Sequence, residues 1–171
     1  IVGIVDPDGS EIFFKRSPAY TGVVASRCAV PSSFASGSKQ LMARSKHVAM
    51  DNITSLQLVY TNWYVKSTAT VGENTPGSDA TYKAAIEYPS GTIAAIVTFA
   101  GATTGTAADG ATIVSDAVAV NIPLGAAFFV RTFSTSTAGI VFRNGSGGLN
   151  TAGGTTTSGE CWTFGVTTPD T

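Results

Sequence analysis

The chain has 171 residues and a formal net charge of −1, with 43% hydrophobic and only 12% charged residues. That length suits one well-buried domain, and 9 Phe, 5 Tyr and 2 Trp with so little net charge exclude a disordered chain. Nucleic acid is not an expected partner, because Lys and Arg form no dense patch, and no apolar run reaches the roughly 18 residues of a membrane-spanning helix.

No basic-then-apolar leader opens the chain, and a first residue of Ile1 points to a processed chain or a portion of a longer one. The opening IVGIVDPDGSEIFFKR reads as a hairpin, with Ile1 to Val5 and Glu11 to Lys15 strand-like around Pro7-Asp8-Gly9. Asp6, Asp8 and Glu11 are hard oxygen donors, yet the EF-hand spacing is missing and turn chemistry accounts for them. Residues 17–46, with Pro18, Pro31 and SSFASGS, show no sustained periodicity and read as an arm or linker. Residues 1–43 are therefore assigned to the hairpin and an extended arm, and residues 44–143 to a β-sandwich core. Arg44, Lys46 and His47 read as a solvated turn where the compact domain begins.

Alternation then dominates. ITSLQLVYTNWYV reads as one long strand, with Leu56, Leu58 and Tyr60 on one face and Val59, Thr61, Trp63 and Val65 on the other. After the polar loop VGENTPGSD, ATYKAAIEY places Tyr82, Ala84, Ile86 and Tyr88 opposite Lys83, Ala85 and Glu87. Turns follow at Pro89-Ser90-Gly91, Asp109-Gly110 and Pro123 to Gly125, separating TIAAIVTFAG, ATIVSDAVAVNI and AAFFVRTFS. Short apolar runs punctuated by turns in this way predict an all-β, antiparallel, jelly-roll-like sandwich with little helix.

Residues 144–160, NGSGGLNTAGGTTTSGE, read as a Gly/Thr-rich flexible loop, and residues 161–171 as a final strand CWTFGV running into the start of a linker. Cys28 and Cys161 fit no metal spacing. They form either one disulfide tying the N-terminal segment to the last strand, or two separate thiols.

No constellation for chemistry stands out. His47 is the single histidine, no G-x-S-x-G elbow is present, and Asn144-Gly145-Ser146-Gly147-Gly148 sits in the glycine-rich tail. Glu73, Asp79, Glu87, Asp109 and Asp116 show no spacing that favours a pair of catalytic carboxylates. No metal, cofactor or phosphate-cradling loop is expected. Asp116 in VSDAV and Arg131 in FFVRTF each lie in an apolar strand and need a partner, which predicts an Asp116–Arg131 pair joining adjacent strands. The aromatics Tyr60, Trp63 and Tyr64, with Asn62 and Glu87, are the candidate residues for a sugar-binding platform.

DGATIVSDAVAVNIPLGAAFFVRTF resembles the jelly-roll modules attached to SGNH/GDSL-type hydrolases of bacteria and phages, in which a "G…SD-x-V…IP-x-G…f-x-VR" rhythm spans three strands. MARSKHVAMDNITSLQLVYTNWYV and AAIEYPSGT are similar to such proteins too, so the resemblance covers residues 42–166. The Gly-Asp-Ser block and the late Asp-x-x-His pair of the hydrolases are missing, so the resemblance implies an accessory module without catalytic residues. The expected function is a non-catalytic structural or assembly sandwich of a phage virion or surface appendage, of decoration, head-fibre or tail-fibre type. Its expected partners are further copies of itself or virion proteins, and its location the virion or the cell surface. The alternative is a carbohydrate-binding accessory module of an SGNH-type esterase whose catalytic domain lies outside this chain.

Overall fold

The computed structural model describes residues 4–5, 11–12, 22, 24, 31, 33–65, 72–142 and 159–165. Among these no helix occurs, and the chain is an all-β assembly of antiparallel sheets packed as a β-sandwich. The strands are β1 Ile4–Val5, β2 Glu11–Ile12, β3 Ser33–Ala35, β4 Gln40–Val48, β5 Ile53–Leu56, β6 Val59–Thr61, β7 Tyr64–Val65 and β8 Glu73–Asn74. They continue with β9 Ala80–Glu87, β10 Ile93–Ile96, β11 Gly105–Ala107, β12 Thr112–Val114, β13 Val118–Ile122, β14 Ala127–Ser136, β15 Ile140–Phe142 and β16 Cys161–Phe164.

The larger layer is a six-stranded sheet in the order β10-β9-β14-β4-β16, with β11 also pairing β9. Strand β14 is its spine. It pairs along β4 from Ala127↔Val48 to Thr135↔Gln40, and along β9 from Phe129↔Glu87 to Ser136↔Ala80. Phe128, Phe129, Val130 and Phe133, which alternate between the two faces of this strand, are all buried, so both faces of β14 are covered.

The smaller layer is a ribbon in which residues 53–61 run antiparallel to residues 112–122, as β5 on β13 and β6 on β12. Its inward side chains, including Ile53, Leu56, Val118 and Ile122, pack with Tyr82, Ala84, Ile86, Phe128 and Val130 of the large sheet. Each such aliphatic or aromatic side chain withdrawn from water contributes about 2 kcal/mol. Tyr60 ties the layers together. Its ring stacks on Tyr82 at 4.7 Å, and its hydroxyl meets Thr132 Oγ1 at 2.8 Å.

Three expectations change. The stretch 53–65 is three strands rather than one, because its partner changes from β13 to β12 to β8 along its length. The break falls at Gln57-Leu58, opposite Ser115. There the Leu58 N–H donates to Ser115 Oγ instead of a ladder carbonyl, while the Ser115 carbonyl accepts from Gln57 Nε2. The second change concerns the arm. Residues 33–35 pair with β15, and β4 runs through the 43/44 boundary to become an interior strand of the main sheet. Arg44, Lys46 and His47 therefore belong to a strand and not to a solvated turn. Its polar, weakly apolar alternation hid a strand flanked on both edges. Third, Gly159 and Glu160 form part of the packed structure rather than the end of a loop: Glu160 is buried, and its Oε1 accepts the Lys46 N–H at 2.9 Å. The opening hairpin is present as β1 paired with β2, Ile4↔Ile12 and Val5↔Glu11. The bulk of the expected arm, the Asn144-Gly145-Ser146-Gly147-Gly148 stretch and the linker start after residue 165 lie outside the described residues.

Candidate functional site

The densest polar cluster lies on the outer face of the large sheet. Register puts Glu87 beside Phe129, and Arg131 between Ala85 and Arg44, with Cys161 beside Arg44 on the far side. Glu87 is 0% exposed. Arg44 donates from Nε to Glu87 Oε2 at 2.9 Å and from Nη2 to Oε1, and Arg131 donates from Nε to Oε2 at 2.7 Å. The Gly91 N–H donates to Oε1 from the turn after β9, where a φ of 88° suits glycine. Arg44 also donates to the Gly159 carbonyl and lies 3.5 Å over the Phe129 ring.

The Arg44 hydrogen bonds dominate the electrostatics of Glu87. With the Gly91 amide and Arg131 they outweigh the cost of burial and hold its carboxyl down to about 2, against an ordinary 4.5. A carboxylate so satisfied stays ionised and is a poor proton carrier near neutrality. Its chemistry is that of a cross-brace joining β9, β14 and β4.

Asp116 and Arg131 do not meet. Asp116 lies in the kink between β12 and β13 and turns toward residues 98–101. It accepts from Thr98 Oγ1 at 2.7 Å, from the Gly101 N–H at 2.8 Å and from the Ala100 N–H at 3.0 Å. The Thr98 hydroxyl and these two amides hold its carboxyl below the usual range. The tight turn it caps has Ala100 at φ 49° and Gly101 at φ 82°. Arg131 instead serves Glu87. Both residues are partnered, but Asp116 lies outside the strands, and the shared register of β9, β14 and β4 gives Arg131 a different carboxylate. Ser115 and Asp116, the SD of the resembling motif, thus hold the ribbon's kink and the neighbouring turn.

The five platform residues do not share a surface. Tyr60 faces the core, where burial lifts its phenol well above the ordinary range, and its neighbour Tyr82 is pushed up to about 12 for the same reason. Asn62 is 1% exposed, and its Nδ2 is aimed at the carbonyls of Ser78, Ala108 and Ala107, at 2.8, 3.1 and 3.3 Å. Glu87 belongs to the far face of the other layer. Trp63 and Tyr64 are half-buried, Trp63 donating from Nε1 to Thr112 Oγ1 at 3.1 Å and Tyr64 stacking on Phe34 at 5.6 Å. Cys161 is half-buried on β16; Cys28, and with it the expected disulfide, lies outside the described residues.

His47 and Ser45, two apart on β4, share the inward face with Nε2 and Oγ 3.0 Å apart. The His47 ring stacks on Phe128 at 5.3 Å, and Ser45 Oγ also lies 3.3 Å from the Val130 carbonyl. Among the described residues, no group of three or more His, Cys, Asp and Glu side chains is placed to hold a metal ion. Sequence reasoning placed Arg44 in a solvated turn and gave Ser115 and Gly159 no role. The one available signal was Arg44 standing two residues before Lys46 in QLMARSKHV, a strand-like spacing of charge. No protein-family model matches the chain, and no curated protein matches it.

Proposed function

We propose that this protein is a non-catalytic structural subunit, a β-sandwich that assembles into a larger particle or surface appendage of virion type. One observation carries the reading. Among the described residues the polar candidates Glu87, Asn62, Ser115 and Asp116 are engaged internally, while the outward surface keeps several exposed apolar side chains. Glu87, Asn62, Ser115 and Asp116 each hold two or more segments of backbone or side chain in register. Val59, Val114, Met50, Leu124 and Ile96 stand exposed. A sandwich stiffened by internal polar braces and presenting apolar side chains outward suits a load-bearing building block.

The sugar-platform alternative has less support, because Tyr60, Asn62 and Glu87 are turned inward or buried and only Trp63 and Tyr64 keep part of their surface. The resemblance to SGNH-associated modules agrees with either setting for a domain of this kind. Native mass spectrometry with electron microscopy of the purified protein tests the proposal. A large symmetric assembly is the expected result. A strictly monomeric protein that retains tight binding to a glycan would overturn it in favour of the accessory-module reading.

A further inference from the structure

Three segments meet at one end of the sandwich: Asn62 just after β6, residues 77–79 before β9, and residues 108–110 after β11. Asp79 and Asp109 are exposed there on neighbouring loops. The Asp109 N–H donates to Asp79 Oδ1 at 3.1 Å, and the Gly77 N–H donates to Asp109 Oδ1 at 2.9 Å. One amide thus orients each carboxylate, and its second oxygen makes no hydrogen bond or ion pair. Two carboxylates so placed repel one another, and no Lys or Arg among the described residues pairs with either.

Asn62 adds an independent observation. It is 1% exposed, and its side chain reaches into this junction, where Nδ2 donates to the carbonyls of Ser78, Ala107 and Ala108. Ser78 and Ala108 immediately precede the two aspartates. The Asn62 Oδ1 atom is buried without a hydrogen-bond partner, the one side-chain oxygen among the described residues in that position. A buried acceptor is stripped of water with nothing in return unless a donor or a cation meets it. The nearby N–H groups of Asp109, Gly110 and Ala111 are already committed, to Asp79 Oδ1 and to the carbonyls of Asn62 and Ala108. Carboxylate and carbonyl oxygens then dominate the junction, and the group that suits them is positive.

We infer that this junction binds a hard divalent cation of calcium type, with the Asp79 and Asp109 carboxylates as its charged ligands and Asn62 Oδ1 as its neutral one. The donors are all oxygen. Calcium takes about 6–8 such ligands in loose geometry, from carboxylates, amide and backbone carbonyls and water. Magnesium demands a near-ideal octahedron, and transition metals favour the imidazole and thiolate donors that these segments do not supply. Only two of the ligands are charged, and both face solvent, so the affinity falls in the weak range of about 0.1–1 mM. The cation cancels the repulsion between the two aspartates and fastens the β8–β9 loop and the β11–β12 turn to the end of β6.

Terbium luminescence of the full chain with calcium competition, beside thermal melts in calcium and in chelator, tests the inference. Trp63, next in sequence to Asn62, serves as the sensitiser. The wild type is expected to show saturable luminescence that calcium displaces, and a melting midpoint that is higher in about 10 mM calcium than in chelator. Asp79→Asn and Asp109→Asn are each expected to weaken calcium binding by about 10-fold or more and to remove most of the calcium dependence of the midpoint. Both positions are exposed, and circular dichroism checks that the variants keep their fold. Asp51→Asn, between β4 and β5 at the opposite end of the large sheet, is the control and is expected to bind as the wild type does. Calcium binding that survives both the Asp79 and the Asp109 substitutions places the cation elsewhere and overturns the site. No saturable binding up to about 10 mM calcium overturns the inference outright.

Discussion

Replacing Glu87 with Gln isolates the charge that braces the large sheet. The native carboxyl titrates at about 2 in the folded chain against 4.5 ordinarily, a gap of about 2.5 units that is worth about 3 kcal/mol at neutral pH. Between those two values the unfolded chain binds the extra proton, so stability rises with pH. The contribution is complete above about pH 5, falls to about 1 kcal/mol near pH 3, and is lost as pH drops through the folded value. In Glu87→Gln the Arg44 and Arg131 guanidiniums keep their charge but lose this carboxylate. Both retain some access to water, at 17% and 24% side-chain exposure, which keeps the loss near 3 kcal/mol and below the larger cost of a fully buried pair. Urea unfolding of both proteins from about pH 2.5 to 7 measures the difference. The expected result is a gap of about 3 kcal/mol at neutrality that narrows steadily with acid. A gap that stays constant across that range, or no gap at pH 7, refutes the argument that ion pairing of this carboxylate holds β9, β14 and β4 together.

Two further substitutions probe the smaller layer and its link to the loops. Ser115→Ala removes the acceptor for the Leu58 N–H at the ribbon's kink; the orphaned donor is expected to cost about 1–3 kcal/mol in chemical denaturation, and an unchanged midpoint would count against the kink depending on that hydroxyl. Asn62→Asp aims a carboxylate at the Ser78, Ala107 and Ala108 carbonyls. Its expected cost is about 3 kcal/mol or more near neutrality. Because burial raises the introduced carboxyl's pKa, this variant regains stability as pH falls, opposite to the Glu87 trend. Thermal melts at about pH 4 and 7 distinguish the two signs, and a variant equally stable at both values would contradict the placement of the Asn62 amide.

Residues 53–65 and 80–88 show what local pattern carries and where it stops. Tyr82, Ala84 and Ile86 face the core as their alternation predicted, and the Asp109-Gly110 and Pro123–Gly125 turns lie between strands as their chemistry required. Yet the opposite positions Ala85 and Glu87 are buried too. Alternation in sequence separates two faces and is silent on what lies against the second. The candidate site suffered from the same limit. Tyr60, Asn62, Trp63, Tyr64 and Glu87 were grouped by residue type and nearness in sequence, while the sandwich sends them to the core, a loop junction, the ribbon's end and the far sheet face.

The chain by itself determined an all-β, turn-punctuated sandwich, because a period of two and the conformational preferences of Gly, Pro, Asn and Asp act over a few residues. It also pointed to a partner for Arg131, because an ionised group in an apolar strand must be compensated, and to one for Asp116, which the structure places in a kink between strands. Only the tertiary structure decided which partners they took. Strand order and register are set by the simultaneous packing of segments far apart in sequence, so β14 between β9 and β4 delivers Arg131 to Glu87 and Arg44, while Asp116 closes a turn on its own side of the sandwich.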